Sequence, residues 1–128
     1  MEKLIIDAAN EKIFLMLIDN KNNYNISHLN SKFNYEKLII LIIEFLETYK
    51  KSLDDLSSIY INRGPGSFAG IRNSIAVAKA ICLTRKIDYY CYSFRDFQND
   101  CDIEHENIPY LCDKFKIKKN LIKPIYVS

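Results

Sequence analysis

An α/β domain, with a mixed five-stranded sheet flanked by helices, is what this 128-residue chain predicts. Three observations carry it. Short apolar runs alternate with polar turns over the first thirty residues, a glycine-dense corner joins an apolar strand to a helix, and a further apolar strand follows that helix.

The first third reads as an antiparallel meander. Lys3 to Ala8 is one strand, Lys12 to Asp19 a second, and Asn10-Glu11 turns between them; Tyr24 to Asn30 is a third, set off by the polar Asn20 to Asn23. A helix is predicted over Tyr35 to Lys51. There Leu38, Leu41, Ile42, Phe45 and Tyr49 recur at helical spacing, Ile39, Ile43 and Leu46 form a neighbouring stripe, and even Ile40 sits in the narrow polar band. That apolar arc is wider than one sheet can cover. Either the next helix of the same chain hides the remainder or another protein does, and the exposed-patch argument favours a partner.

Leu56 to Ile61 reads as a buried strand and Ala69 to Leu83 as a helix. All three glycines of the chain, Gly64, Gly66 and Gly70, fall in the corner between them. Glycine permits positive φ or close backbone approach, so their clustering predicts one sharp, tightly packed loop, stiffened by Pro65. A Walker A loop requires a lysine and a hydroxyl residue where Ile71 and Arg72 stand. The dinucleotide fingerprint requires glycines spaced two and then three apart, and here they are two and then four. Ser67 is placed to cap the helix, with no base signalled nearby to make it a nucleophile. Arg63 and Arg72 could clamp a phosphate or a partner carboxylate, or be solvated. Small residues at Ala69, Ala76 and Ala80 leave one side of the helix open to close packing by another helix. Ile87 to Phe94 follows as a strand, completing a right-handed strand–helix–strand unit.

The segment Arg-Gly-Pro-Gly-Ser-Phe-Ala-Gly-Ile-Arg, residues 63–72, followed by a helix carrying Ala76, Ala78, Lys79 and Ala80, resembles the signature of the TsaB (YeaZ) family. That family usually has threonine where Ala69 stands. Its members are the dimerization subunit of the bacterial machinery that makes threonylcarbamoyladenosine in tRNA. The likeness runs from about Met1 to Phe94. It implies a ribonuclease H-like, actin-like ATPase N-terminal domain over residues 1–94, with 95–128 a truncated remnant of the second such domain. Helix, turn and strand traces are expected there: a short helix over Arg95 to Asp102, a strand over Pro109 to Asp113, a basic, solvent-facing Lys114 to Lys123, and a Pro-x-Tyr close.

The resemblance also implies a role. The expected function is a non-catalytic scaffold that binds and stabilises the catalytic TsaD-type paralogue, with a TsaE-type ATPase as further partner and tRNA contacted only indirectly. The expected partner interface is Leu38, Leu41, Ile42, Phe45, Arg72, Ile75, Val77 and Ala78. The expected corner loop is Arg63, Gly64, Pro65, Gly66, Ser67, Phe68 and Gly70. In isolation a symmetric homodimer is expected. Asp7 ends the first strand where the actin-like superfamily keeps a metal-linked aspartate, but Ala8, Ala9 and Asn10 supply neither glycine nor hydroxyl. A structural Asp7 held by turn amides is favoured over a vestigial nucleotide contact. No cofactor is expected for this chain, and ATP or ADP only at a subunit boundary. The alternative is a stand-alone actin-like kinase or hydrolase that binds ATP.

Composition narrows the classes. With 48% hydrophobic and 27% charged residues the chain is neither disordered nor membrane-spanning, and a formal charge of +2 argues little for nucleic acid. No signal-peptide pattern precedes the first strand, so a cytoplasmic location is expected. Cys82, Cys91, Cys101 and Cys112 lack paired spacing, and only His28 and His105 add nitrogen ligands. Reduced thiols and no metal are expected, and no His-x-x-x-His pair supports a metallopeptidase.

Overall fold

The structure, a computed structural model, describes residues 2–98, 100 and 103–126. Its five strands are β1 (Glu2–Asp7), β2 (Lys12–Ile18), β3 (Asn23–Leu29), β4 (Leu56–Asn62) and β5 (Asp88–Tyr92). They lie in the order β3-β2-β1-β4-β5. The meander strands pair antiparallel, whereas β4 runs parallel to both β1 and β5. Central β1 is therefore where antiparallel meets parallel pairing. That placement follows from connection length: the short turns of the meander suffice for antiparallel neighbours, and the long helical crossover after β4 returns the chain parallel.

Helices α1 (Lys32–Glu36), α2 (Leu38–Thr48) and α3 (Phe68–Arg85) cover one face. Their buried side chains, including Leu38, Ile42, Phe45, Ile71, Ile75 and Ala78, meet Leu4, Ile6, Leu15, Leu17, Ile59 and Ile61 of the strands. Helix α4 (Ile108–Lys114) lies on the opposite face. There Ile108, Leu111, Cys112 and Phe97 pack on Ile5, Met16, Tyr60 and Tyr92, so odd residues of β1 serve one layer and even residues the other.

Three expectations are corrected. The single helix expected over residues 35–51 starts earlier and is broken: Ser31 Oγ accepts from Asn34 N at 3.3 Å to start α1, and Lys37, at φ −112° and ψ 23°, separates it from α2. Pro109 to Asp113 is helical, not a strand, because proline in the first turn loses no helical hydrogen bond. The helix expected from Arg95 is a short 3-10 turn, Phe94–Phe97, closed by Asp96 Oδ2 accepting from Ser93 N at 2.8 Å; residues 99, 101 and 102 lie outside the described ones. Of the segment after Phe94, Phe97, Ile108, Leu111 and Cys112 pack on the sheet beside Ile5, Met16, Tyr60 and Tyr92.

The ends of the helices hold an inversion of the usual glycine pattern. Lys50 and Lys86, just past α2 and α3, have φ of 59° and 56°, in the left-handed region. The glycines are elsewhere.

Candidate functional site

Residues 63–70 form the corner between β4 and α3, at the ends of the parallel strands where α/β sheets commonly place ligands. Its first anchor is Asn62, whose Oδ1 accepts from Gly64 N at 2.8 Å while its Nδ2 donates to Asp7 Oδ1 at 3.1 Å. Gly64 takes φ +112°, which only glycine adopts readily. Ser67 Oγ caps α3 by accepting from Gly70 N at 3.1 Å and meets Tyr35 Oη of α1 at 3.1 Å. Ser67 N donates to Ala9 O at 2.8 Å, and Ile125 N to Arg63 O at 2.7 Å.

What the glycines face decides how the corner is read. A Cβ on Gly64 would collide with the carbonyl oxygen of Ile125, one on Gly66 with that of Ala9, and one on Gly70 with that of Ala8. All three spaces are filled by the chain's own backbone acceptors. The Gly64, Ser67 and Gly70 amides also donate to acceptors of the chain itself, Asn62 Oδ1, Ala9 O and Ser67 Oγ. Arg63 is likewise engaged: its guanidinium is 2.7 Å from Asp96 Oδ1 and donates to Lys123 O at 3.0 Å. Arg72 is exposed, its guanidinium carbon 5.9 Å from the Phe68 ring centroid, and Phe68 in turn leans on Tyr126 at 4.6 Å.

Asp7 is buried at the end of β1, on the α4 face. Its Oδ1 accepts from Asn62 and, at 3.3 Å, from Ala9 N; its Oδ2 lies 2.8 Å from His105 Nε2. The turn amide is the one expected from sequence. The histidine is not: sequence reading weighed His105 only as a metal ligand, and 98 residues separate the two. Its ring packs against Phe14, tilted at 36°, and edge-on to Phe94, at 4.2 and 5.5 Å between centroids. Among the described residues no three His, Cys, Asp or Glu side chains converge as a metal site.

The expected interface divides. Leu38, Leu41, Ile42, Phe45, Ile75 and Ala78 are buried in the chain's own core, because the sheet takes the richest stripe of each helix. Val77 is half-buried and Arg72 exposed. What α2 and α3 present outward instead is Ile40, Ile43, Phe68 and Leu83, exposed by 52, 38, 53 and 77%. The outward stripe was visible in sequence only at Ile40, the apolar residue in the polar band. Cys82, Cys91 and Cys112 are free and buried, and burial pushes their thiols up, to about 12, 11 and 12; Cys101 lies outside the described residues.

A family model described as TsaD, tRNA N6-adenosine threonylcarbamoyltransferase, matches residues 28–93, from β3 through β5. The tRNA threonylcarbamoyladenosine biosynthesis protein TsaB of Buchnera aphidicola subsp. Schizaphis graminum is 31% identical over 87 residues, 68% of this chain and 41% of that protein. The chain belongs to the TsaB (YeaZ) family. Escherichia coli TsaB is 29% identical over 83 residues, 65% of this chain and 36% of its own. This TsaB-family chain therefore spans less than half the length of those curated relatives. YeaZ from Pseudomonas aeruginosa superposes with a TM-score of 0.67 at 20% identity, over 72% of this chain and 43% of that one. Thermus thermophilus RuvC, solved with a Holliday junction substrate, shares the fold at TM-score 0.55 and 9% identity, over 98% of this chain and 85% of its own. The RuvC superposition reaches beyond β5, in keeping with α4 belonging to the same layered unit as the TsaB-type sheet.

Proposed function

We propose that this chain is a non-catalytic scaffold in the formation of threonylcarbamoyladenosine in tRNA, docking on a catalytic TsaD-type paralogue through the outer side of α2 and α3. One observation carries the reading: Ile40, Ile43, Phe68 and Leu83 stand exposed on α2 and α3, two helices of the layer that covers one face of the sheet. Large apolar side chains grouped on one helical layer are an association surface. Membership of a family named for threonylcarbamoyladenosine biosynthesis supports a partner of this kind. The TsaE-type ATPase would join through that assembly, and tRNA would be contacted indirectly. Without a paralogue, the same strip would bury itself against a second copy in a symmetric pair.

The filled corner supports a scaffold over a stand-alone ATP-binding enzyme, since its glycines, Arg63 and Asp7 are all held by the chain itself. No described helix is long and apolar enough to cross a membrane. Mixing the chain with its TsaD-type paralogue and measuring mass by light scattering tests the proposal. One species of summed mass is expected; two independent species at micromolar concentration would overturn it.

A further inference from the structure

On the α4 face, away from the docking helices, lies a cleft of about 730 Å³. Its floor is aromatic. Tyr60 of β4 and Tyr90 of β5 are register partners, their rings stacked at 5.0 Å between centroids and 12° between planes. Tyr110, on α4, stands at its mouth, 64% exposed. Helix α4 reaches the sheet through Ile108, Leu111 and Cys112, which leaves this lower part of the face, beside Lys3 and Ile18, uncovered.

The rim is charged. Lys3, Lys116 and Lys119 line it against two carboxylates, Glu106 and Asp113. Glu106 already accepts from Asn23 Nδ2 at 3.2 Å, and Lys119 lies 3.6 Å from Asp88. Lys3 and Lys116 form no ion pair among the described residues, so two ammonium groups flank the tyrosine platform, with Glu106 and Asp113 on the same rim. A stacking surface beside cations suits a planar ring that bears an anionic group. A bare anion would ignore the rings, and an apolar ligand would leave the lysines unanswered.

We infer that this cleft binds a nucleotide unit, its base against the Tyr90 and Tyr110 side and its phosphate at Lys3 and Lys116. The source is either a free mononucleotide or a residue of single-stranded RNA, both offering the same ring and phosphate. Base stacking of this kind tolerates sequence, because every base has a π face. The site stands apart from the α2 and α3 surface, so it holds or fails independently of docking there, although an RNA outcome would make contact with RNA direct.

Titration of the full chain, followed by amide chemical shifts, tests it with AMP, inorganic phosphate and a short oligouridylate as probes. Saturable shifts at Tyr90, Tyr110 and Lys116 with AMP are expected, together with binding about tenfold weaker in Tyr110→Ala and in Lys116→Glu. Both substitutions are at exposed positions, and Lys79→Glu on α3 serves as the control that leaves binding unchanged. Oligouridylate binding that is tighter than AMP and falls steeply with salt assigns the site to RNA; equal affinity assigns it to the free nucleotide. Inorganic phosphate matching AMP, or no shift with AMP or oligouridylate at millimolar concentration, would overturn the inference.

Discussion

His105 Nε2 sits 2.8 Å from Asp7 Oδ2, tying the segment before α4 to the end of the central strand. The same carboxylate holds Asn62, and Asn62 holds Gly64, so one buried group connects β1, the glycine corner and the α4 layer. Asp7→Ala leaves Asn62 and His105 without their acceptor. The expected cost is about 1–3 kcal/mol, the range for stranding buried polar partners, read from the midpoint of urea unfolding. An unchanged midpoint would mean that Asp7 is not structural.

The glycines of the corner make a sharper case. Gly70→Ala and Gly66→Ala each drive a methyl group into a backbone carbonyl, which cannot swing aside as a side chain would. Each is expected to destabilise by about 3 kcal/mol or more. Ser67→Ala, which removes only the cap, costs about 1 kcal/mol. Thermal denaturation of the three variants should preserve that order.

Separate roles are predicted for two sets of apolar residues on the same helices. Ile40→Glu and Leu83→Glu should weaken binding to the TsaD-type paralogue at least tenfold, roughly 1.4 kcal/mol, with little change in melting temperature. Ile42→Ala, inside the core, should instead lower stability by about 2–5 kcal/mol. Calorimetric titration and melting curves on the same variants distinguish the two. Intact binding by both surface variants would remove the proposed docking face.

Alkali should unfold this protein. Burial raises Cys82, Cys91 and Cys112 from 9.0 to about 12, 11 and 12, so the folded chain keeps their protons where the unfolded chain has begun to release them. Their contribution is complete below pH 9 and is lost as pH rises through the window from 9 to 12. Denaturant midpoints measured from pH 8 upward should fall accordingly. At pH 8 iodoacetamide should label these three thiols slowly in the native chain and rapidly in urea.

Much of the sheet was legible because strand periodicity and turn chemistry are local. β1 and β2 lie where alternation and the Asn10-Glu11 turn put them, and α3 begins at the corner that Gly64, Pro65 and Gly66 announce. Failures arose where tertiary contact decides. A wide apolar arc on α2 cannot say which side the sheet will claim, so Leu38 and Phe45 read as interface residues and are core. Pro109 suits an extended segment and the first turn of a helix equally, and its packing settles it as helical. The Asp7–His105 contact joins residues so distant in sequence that no spacing rule relates them.

Lys50 and Lys86 hold left-handed backbone with full side chains, a conformation that disfavours a Cβ by about 1–2 kcal/mol. The chain has put its few glycines where bulk is forbidden and left ordinary residues where only torsional comfort is at stake. The exits of α2 and α3 therefore hold unused stability, part of which Lys50→Gly or Lys86→Gly would recover.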